Sequence, residues 1–411
     1  MSVEEYPQIT QTGQEQHAGA RKTGAGAPRR SRLLSCSSLL PLLRSLLLLP
    51  AARAPDDMKR LALIAVVLIV LALVYLLVAP VPIDPVAWQP PIAPELAGPY
   101  QPNTRLSSTE RLYLGDGNSP EDVAIDNAGR VYGGFDDGRI MVIEAAGSQP
   151  RLFSNTHGRP LGLAFDASGN LIVADAVKGL LSIDSDGVIQ TLATEADDAR
   201  FGCLNDLDVA RDGTIYFTEA SNKFPISQFT ADLLEHRPNG RLLAYDPKTK
   251  QSRTIFRGLH FANGVAVSPD QTFVLVAETG MYRVMRIWLT GPQAGQSEIF
   301  IENLPGFPDG ISSNGKDKFW LALVTPRDKV FDKILPHPFL RKIVMRLPKF
   351  LQPAPKRYSF VVGLDTTGHV IENLQDGSPN CYAEIANVVE RDGALYFGSI
   401  GERTIGKYSL K

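Results

Sequence analysis

Between Leu61 and Ala79 the chain reads "LALIAVVLIVLALVYLLVA" without a polar break. An uncharged run of this length predicts a helix able to cross about 30 Å of hydrocarbon. Further along, the pattern changes. From about Arg105 onward, short stretches of alternating apolar and polar residues recur, each followed by a turn and a second, apolar stretch. "NDLDVARDGTIYFTE" shows the unit: alternation from Asn205, a turn at Ala210–Gly213, and an apolar run at Thr214–Phe217. That is a β-hairpin signature. Five other segments repeat it: "EDVAIDNAGRVYGG", "LGLAFDASGNLIVAD", "NGVAVSPDQTFVLVAE", "DGISSNGKDKFWLAL" and "IANVVERDGALYFGS", the last the weakest match. Segments such as "RLLAYDP" and "RVMRIWLTG" supply further strands.

Six copies at intervals of roughly 40–75 residues predict an all-β, six-bladed β-propeller over residues 105–411. A single long sandwich would not explain the regular return of one unit. Ahead of the propeller lie three segments. Residues 1–57 are a biased, disordered or targeting-like leader, whose apolar stretch is broken by Pro41, Arg44 and Pro50; "MKRLALIAVV" has the form of a natural start at Met58. Residues 58–80 form the transmembrane anchor. Residues 81–104 are Pro-rich and read as a stiff stalk that lifts the folded domain off the membrane. Lys59 and Arg60 precede the apolar run and Asp84 follows it. By the positive-inside rule the N-terminus is cytoplasmic, with the propeller on the periplasmic, lumenal or extracellular side. A cleaved signal peptide would show a shorter apolar core and a small-x-small site.

Composition adds little to this. A formal charge of −2 gives no reason to expect nucleic acid, and 35 Gly with 30 Pro suit a turn-rich β fold. The three cysteines, Cys36, Cys203 and Cys381, do not make a disulfide framework. Cys203 and Cys381 each precede a strand pair, and both a single disulfide and two buried thiols are compatible with that. No Asn-x-Ser/Thr acceptor site occurs.

Candidate chemistry emerges when the copies are aligned on their turns. The lead position of each is then Glu121, Leu161, Asn205, Asn263, Asp309 and Ile385. The innermost strands of a propeller line one central channel, so these residues would meet in a ring. Two carboxylates and two amide oxygens form a hard, oxygen-only set of charge −2, suited to Ca²⁺ or Mg²⁺. Singly, each is explained by turn chemistry, as in Asn263-Gly264 or Pro308-Asp309-Gly310. Four at one position of one repeat favour a metal site.

"FANGVAVSPDQTFVLVAETGMYRVMRIWLTG", "LPGFPDGIS", "GRPLGLAF" and "TEASNKFPISQFTADLLEHRPNGRLLAYDP" resemble the strictosidine synthase-like proteins, and within them the adipocyte plasma membrane-associated group. The resemblance runs from about residue 100 to the end. It implies a six-bladed propeller related to gluconolactonases and paraoxonases, with a Ca²⁺-type ion in its channel. By motif, the family's ligands fall on Glu121, Asn205, Asn263 and Asp309. In paraoxonases, residues in the places of Asp122 and Asp206 help hold a second ion; here these two either do so or bond backbone amides. The synthase's catalytic Glu falls on Ala386, which argues against amine–aldehyde condensation, and the paraoxonase His falls on Leu161.

The resulting expectation is a membrane-anchored, Ca²⁺-dependent hydrolase of lactones or aryl esters, with a small-molecule ester or lactone as substrate. Asp309 is the expected base or nucleophile, and His157, ahead of the second repeat, is the second catalytic candidate. His260 reads as a surface or turn residue, and Glu219 and Glu278 as structural. The alternative is a non-enzymatic propeller that binds a partner or small ligand around a structural metal. Two insertions, Ala220–Gly240 and the basic, amphipathic Thr325–Arg357, are placed to shape the pocket, the second as a cap or as a surface for lipid.

Overall fold

The computed structural model describes residues 54–144 and 149–410; most of the leader, with Cys36, lies outside them. The chain divides into two units between Val70 and Leu71. Helix α1, Ala54–Val78, is 25 residues long, and by length and composition its Asp56–Val78 stretch is able to cross a membrane.

Among the described residues, six four-stranded antiparallel sheets and one two-stranded ribbon form the β structure of the second unit. Their innermost strands are, in chain order, Val123–Ile125, Pro160–Phe165, Cys203–Val209, Ala262–Val267, Gly306–Ser313 and Ile385–Arg391. Each begins at one of the six repeated units, and each blade runs outward strand by strand, the simplest connection for hairpins. The sixth blade is completed from the other end of the chain. Glu110–Tyr113 pairs as its outermost strand with Thr404–Ser409, in the register Glu110↔Lys407 to Tyr113↔Thr404, and so closes the ring. Apolar faces of neighbouring blades interlock, as where Phe319 and Leu321 of the fifth blade meet Leu275 and Phe273 of the fourth.

Aspartates at the turns set the hairpin geometry. Asp126 Oδ1 accepts the amides of Ala128 and Arg130, both at 2.9 Å. Asp166 does the same for Ser168 at 2.9 Å and Asn170 at 2.8 Å. This local bonding is why Asp opens so many of the turns.

Residues 81–104 do not stand free as a stalk. Ile83 is buried, and the segment's carbonyls are held by distant cations. Arg327 donates to Pro91 O at 2.7 Å and lies 4.1 Å over the Tyr282 ring, and Arg341 donates to Val86 O. A Pro-rich composition dictates extension, and these long-range donors, invisible in the local sequence, dock it. The insertions carry short helices: α2 at Phe229–Glu235, α3 at Lys329–Ile334 and α4 at Pro338–Arg346.

His236 caps α2 in the left-handed region at φ 54° and stacks on Trp88 of the docked segment, ring centroids 4.3 Å apart. Burial, with the nearby His260 and Arg341, pushes its imidazole down to about 3. Its folded-state value is below the ordinary one of about 6.5. Its contribution is therefore intact above 6.5 and lost as the pH falls towards 3, at up to about 1.4 kcal/mol per pH unit. Melting curves from pH 7.5 to 4 are expected to show a steeper fall for the native chain than for His236→Asn, which keeps a residue tolerant of positive φ but cannot titrate. Equal slopes would remove His236 as the acid-sensitive group.

Candidate functional site at the inner end of the channel

A β-bulge shapes the start of the inner strands. In the third blade Leu204 pairs with Glu219 and the next pair is Leu207 with Phe217; in the fourth, Ala262↔Glu278 is followed by Val265↔Val276; in the fifth, Pro308↔Leu323 by Ile311↔Leu321. One extra residue on the inner strand re-aims the side chains there. The residue after the first pair is Asn205, Asn263 and Asp309 respectively. The second blade follows suit, Pro160↔Asp175 preceding Leu161. In the sixth blade Ile385 is itself the paired residue, opposite Ser399. The sixth member of the ring is therefore Ala386, one residue on from the position that turn alignment gives.

Glu121, Asn205, Asn263 and Asp309 all line one cavity of about 700 Å³. The residues immediately after them point the other way, as period-two geometry requires. Asp122, Asp206 and Asn387 line a smaller cavity of about 190 Å³ along the same channel. Their role there is to stitch blades together. Asp122 accepts from Val123 N and from Leu163 N of the next blade, each at 2.6 Å, and from the Asn387 amide. Asp206 accepts from Leu207 N at 2.8 Å and from Val265 N of the next blade at 2.9 Å. Both oxygens of each carboxylate thus hold backbone. Burial pushes Asp122 up to about 7 and also raises Asp206. The stitching demands close approach: a Cβ on Gly264 would sit 2.3 Å from Ile311 N, and one on Gly162 2.7 Å from Asp206 Cα. That explains the glycine after the ring residue in those blades.

Around the upper ring, Asn263 donates to Thr279 Oγ1 at 3.2 Å and eases the charge on the neighbouring Asp309 carboxylate. Thr279 in turn donates to Pro308 O at 2.6 Å, which fixes the neighbouring blade. Arg159 Nη2 donates to Glu121 Oε2 at 2.9 Å. Burial raises Glu121 against the pull of Arg159. Burial first, then the charge of Glu121, holds Asp309 well above the usual carboxylate range. Among the described residues no three His, Cys, Asp or Glu side chains gather as a metal cluster. A cation here would take amide as well as carboxylate oxygen. The donor set fits a hard divalent ion: two carboxylates meet, and one cationic side chain pairs with Glu121 alone.

His157 is exposed on the loop leading to the second blade, at φ 52°. It is absent from the cavity wall, while Gly158 and Arg159 are part of it. The left-handed turn at His157 breaks the alternation that would otherwise have put both 157 and 159 inside. Arg159 escaped the sequence reading, although a signal was there. Ser119, Arg159, Phe261 and Phe307 each stand two residues before a ring position, and all four line the cavity; period two predicts it. The remaining wall is mostly apolar and comes from the insertions: Ile226, Phe229 and Leu233 from one, Phe331 and Pro353–Pro355 from the other.

Carboxylates at the ends of second strands position the ring. Asp175 Oδ1 accepts Arg159 N at 3.0 Å, Glu219 Oε1 accepts Gly202 N at 2.5 Å, and Glu278 Oε1 accepts His260 N at 2.8 Å. Each therefore pins the backbone just ahead of Leu161, Asn205 or Asn263. Cys203 and Cys381 are buried free thiols.

Comparison with known proteins yields a consistent set. The strictosidine synthase family signature matches residues 205–292, and that of the strictosidine synthase-like N-terminal region matches 98–143. Protein strictosidine synthase-like 6 of Arabidopsis thaliana is 39% identical over 312 residues, covering 74% of this chain and 82% of its own. The adipocyte plasma membrane-associated protein of Rattus norvegicus is 34% identical over 353 residues, covering 80% and 93%. Among solved structures, a gluconolactonase from Xanthomonas campestris superposes with a TM-score of 0.55 at 18% identity, over 75% of this chain and 92% of its own. Regucalcin from Agrobacterium tumefaciens, described as calcium-binding, does so with 0.53 at 14%, over 74% and 94%. At these identities the two structures speak to the fold.

Proposed function

The chain belongs to the strictosidine synthase-like family, and on that premise we propose that it is a membrane-anchored, Ca²⁺-dependent hydrolase of lactones or aryl esters. One observation carries the reading: Glu121, Asn205, Asn263 and Asp309, from four different blades, share the wall of one large and mostly apolar cavity. The gluconolactonase and regucalcin likenesses lend support from the same fold, and the membrane-associated relative does so for the anchor.

A bound divalent ion would supply Lewis-acid polarisation of the ester carbonyl. The chain's own groups do the rest. Asp309 is the carboxylate at the ring with no cationic side chain bonded to it, so it is the group to attack the carbonyl carbon or take a proton from water. Asn263 orients it. Arg159, held by Glu121, presents guanidinium N–H groups towards a developing oxyanion. The apolar wall seats the alkyl or aryl part and excludes water. Asp122 and Asp206 brace the channel from beneath, with both oxygens committed to amides. Ala386 in the ring removes the group that the synthase's condensation needs.

The full chain in detergent is expected to hydrolyse phenyl acetate and a δ-lactone in Ca²⁺ buffer, to lose this with chelator, and to regain it on adding Ca²⁺. Asn263→Ala should lower kcat/KM by about 10²-fold. The second reading, a binding propeller with a structural metal, draws on Leu161 and Ala386 leaving two ring positions without a polar group. It is the answer if chelation lowers the melting temperature while the native chain turns over neither substrate.

A further inference from the structure

We propose that residues 338–351 form a lipid-docking surface that lies on the membrane α1 enters. The proposal rests on α1 being an anchor. Helix α4 turns Arg341 inward, where it is fully buried and donates to Leu234 O at 3.0 Å. Val344 and Met345 pack against the cluster around Phe331 and Leu335. The other face and the turn that follows it are bare: Phe339 is 54% exposed, Leu340 41%, Phe350 84% and Leu351 57%. Four large apolar side chains within thirteen consecutive residues, interleaved with Lys342, Arg346 and Lys349, have the composition of an interfacial segment, in which apolar groups enter the headgroup boundary and cations meet anionic lipid.

An independent contact says what covers the surface. Arg346 donates through Nη1 to Leu76 O at 2.8 Å and through Nε to Ala79 O at 2.6 Å. These carbonyls belong to the end of the apolar run, where a helix leaves acceptors without intrahelical partners. At a bilayer boundary such acceptors need a donor, and an arginine whose stem stays in apolar surroundings supplies one. The residue that caps the end of α1 is thus part of α4. Arg346 ties the end of the apolar run to the same segment that carries the bare Phe and Leu side chains. A protein partner would need no such continuity with the anchor.

The test uses the full chain with Cys36→Ser, reconstituted one copy per nanodisc of phosphatidylcholine and phosphatidylserine. A nitroxide is placed at Phe350→Cys, and at Lys316→Cys on an exposed turn at the other end of the same blade. Both substitutions are on exposed positions, and Cys203 and Cys381 are buried. The expected result is a label at 350 reached better by dissolved oxygen than by a water-soluble nickel chelate, with the reverse at 316. Lys342→Glu with Lys349→Glu should shift the 350 label towards nickel. Nickel-dominated collisions at 350 in the starting chain would overturn the proposal. So would protection from both reagents, the mark of a side chain buried against protein and not in lipid. Retention of the chain through alkaline carbonate extraction is measured in parallel. Release there means that α1 is no anchor, and the docking proposal falls with it; retention with a nickel-dominated label refutes the docking alone.

Discussion

Asp309→Asn is expected to raise the melting temperature of the metal-free chain while abolishing its hydrolysis of esters. The two effects share one cause. Asp309 is buried, and burial and Glu121 disfavour its charge. A neutral isostere removes that penalty and keeps the side chain's shape. The gain should be about 1–2 kcal/mol, or about 2–4 °C. The same change removes half of the ring's carboxylates and its expected base or nucleophile, so kcat/KM should fall by about 10²–10⁴-fold. Calcium then separates the two states. At a hundredfold excess over its dissociation constant, a ligand that binds only the folded chain adds about 2.7 kcal/mol, and that increment should largely vanish in Asp309→Asn. The native chain would thus melt below the variant in chelator and above it in Ca²⁺. A variant that hydrolyses phenyl acetate at the native rate would remove Asp309 from the chemistry, and one that keeps the full Ca²⁺ increment would remove it from the ion site.

The propeller was legible because its signal is repeated. One hairpin beginning at Asn205 is ambiguous, but six similar units cannot bury their apolar faces except by packing on one another. The four ring residues followed from that repetition. What escaped depended on local geometry that a count from the turn does not register. The sixth blade connects its first two strands through the two-residue turn Asp392-Gly393, with both residues at positive φ, whereas Ala210–Thr214 makes that connection in the third. Counting back from Gly393 as from Gly213 therefore lands on Ile385 and misses Ala386. Arg159 does not sit at the repeated ring position and is reached only by period two, two residues ahead of it on the same side. His157 has the chemistry of a catalyst, yet its left-handed backbone turns it to solvent. The docking of residues 81–104 could not be read at all, since Arg327 and Arg341 lie more than two hundred residues away in sequence.

Glu219 and Glu278 occupy equivalent places, and the same substitution in each should have unequal consequences. Each pins a backbone amide ahead of a ring asparagine and each takes an arginine on its other oxygen. The arginines differ. Arg241 is 3% exposed, whereas Arg283 is 22% exposed and can turn to water. Removing one partner of a fully buried pair strands a charge in a low dielectric and costs about 3–5 kcal/mol, so Glu219→Ala should lower the melting temperature by about 5–12 °C. In Glu278→Ala the freed guanidinium is rehydrated, and the loss should be nearer 1 kcal/mol. Pairing Glu219→Ala with Arg241→Met removes the stranded charge and should restore most of the stability. It should not restore hydrolysis, because the Gly202 amide ahead of Asn205 still lacks its acceptor. Thermal melts of the three variants beside their kcat/KM values check both halves. Equal losses for the two single variants would mean that the pinned amide, and not the buried guanidinium, sets the cost. Recovery of activity in the double variant would mean that Asn205 holds its place without Glu219.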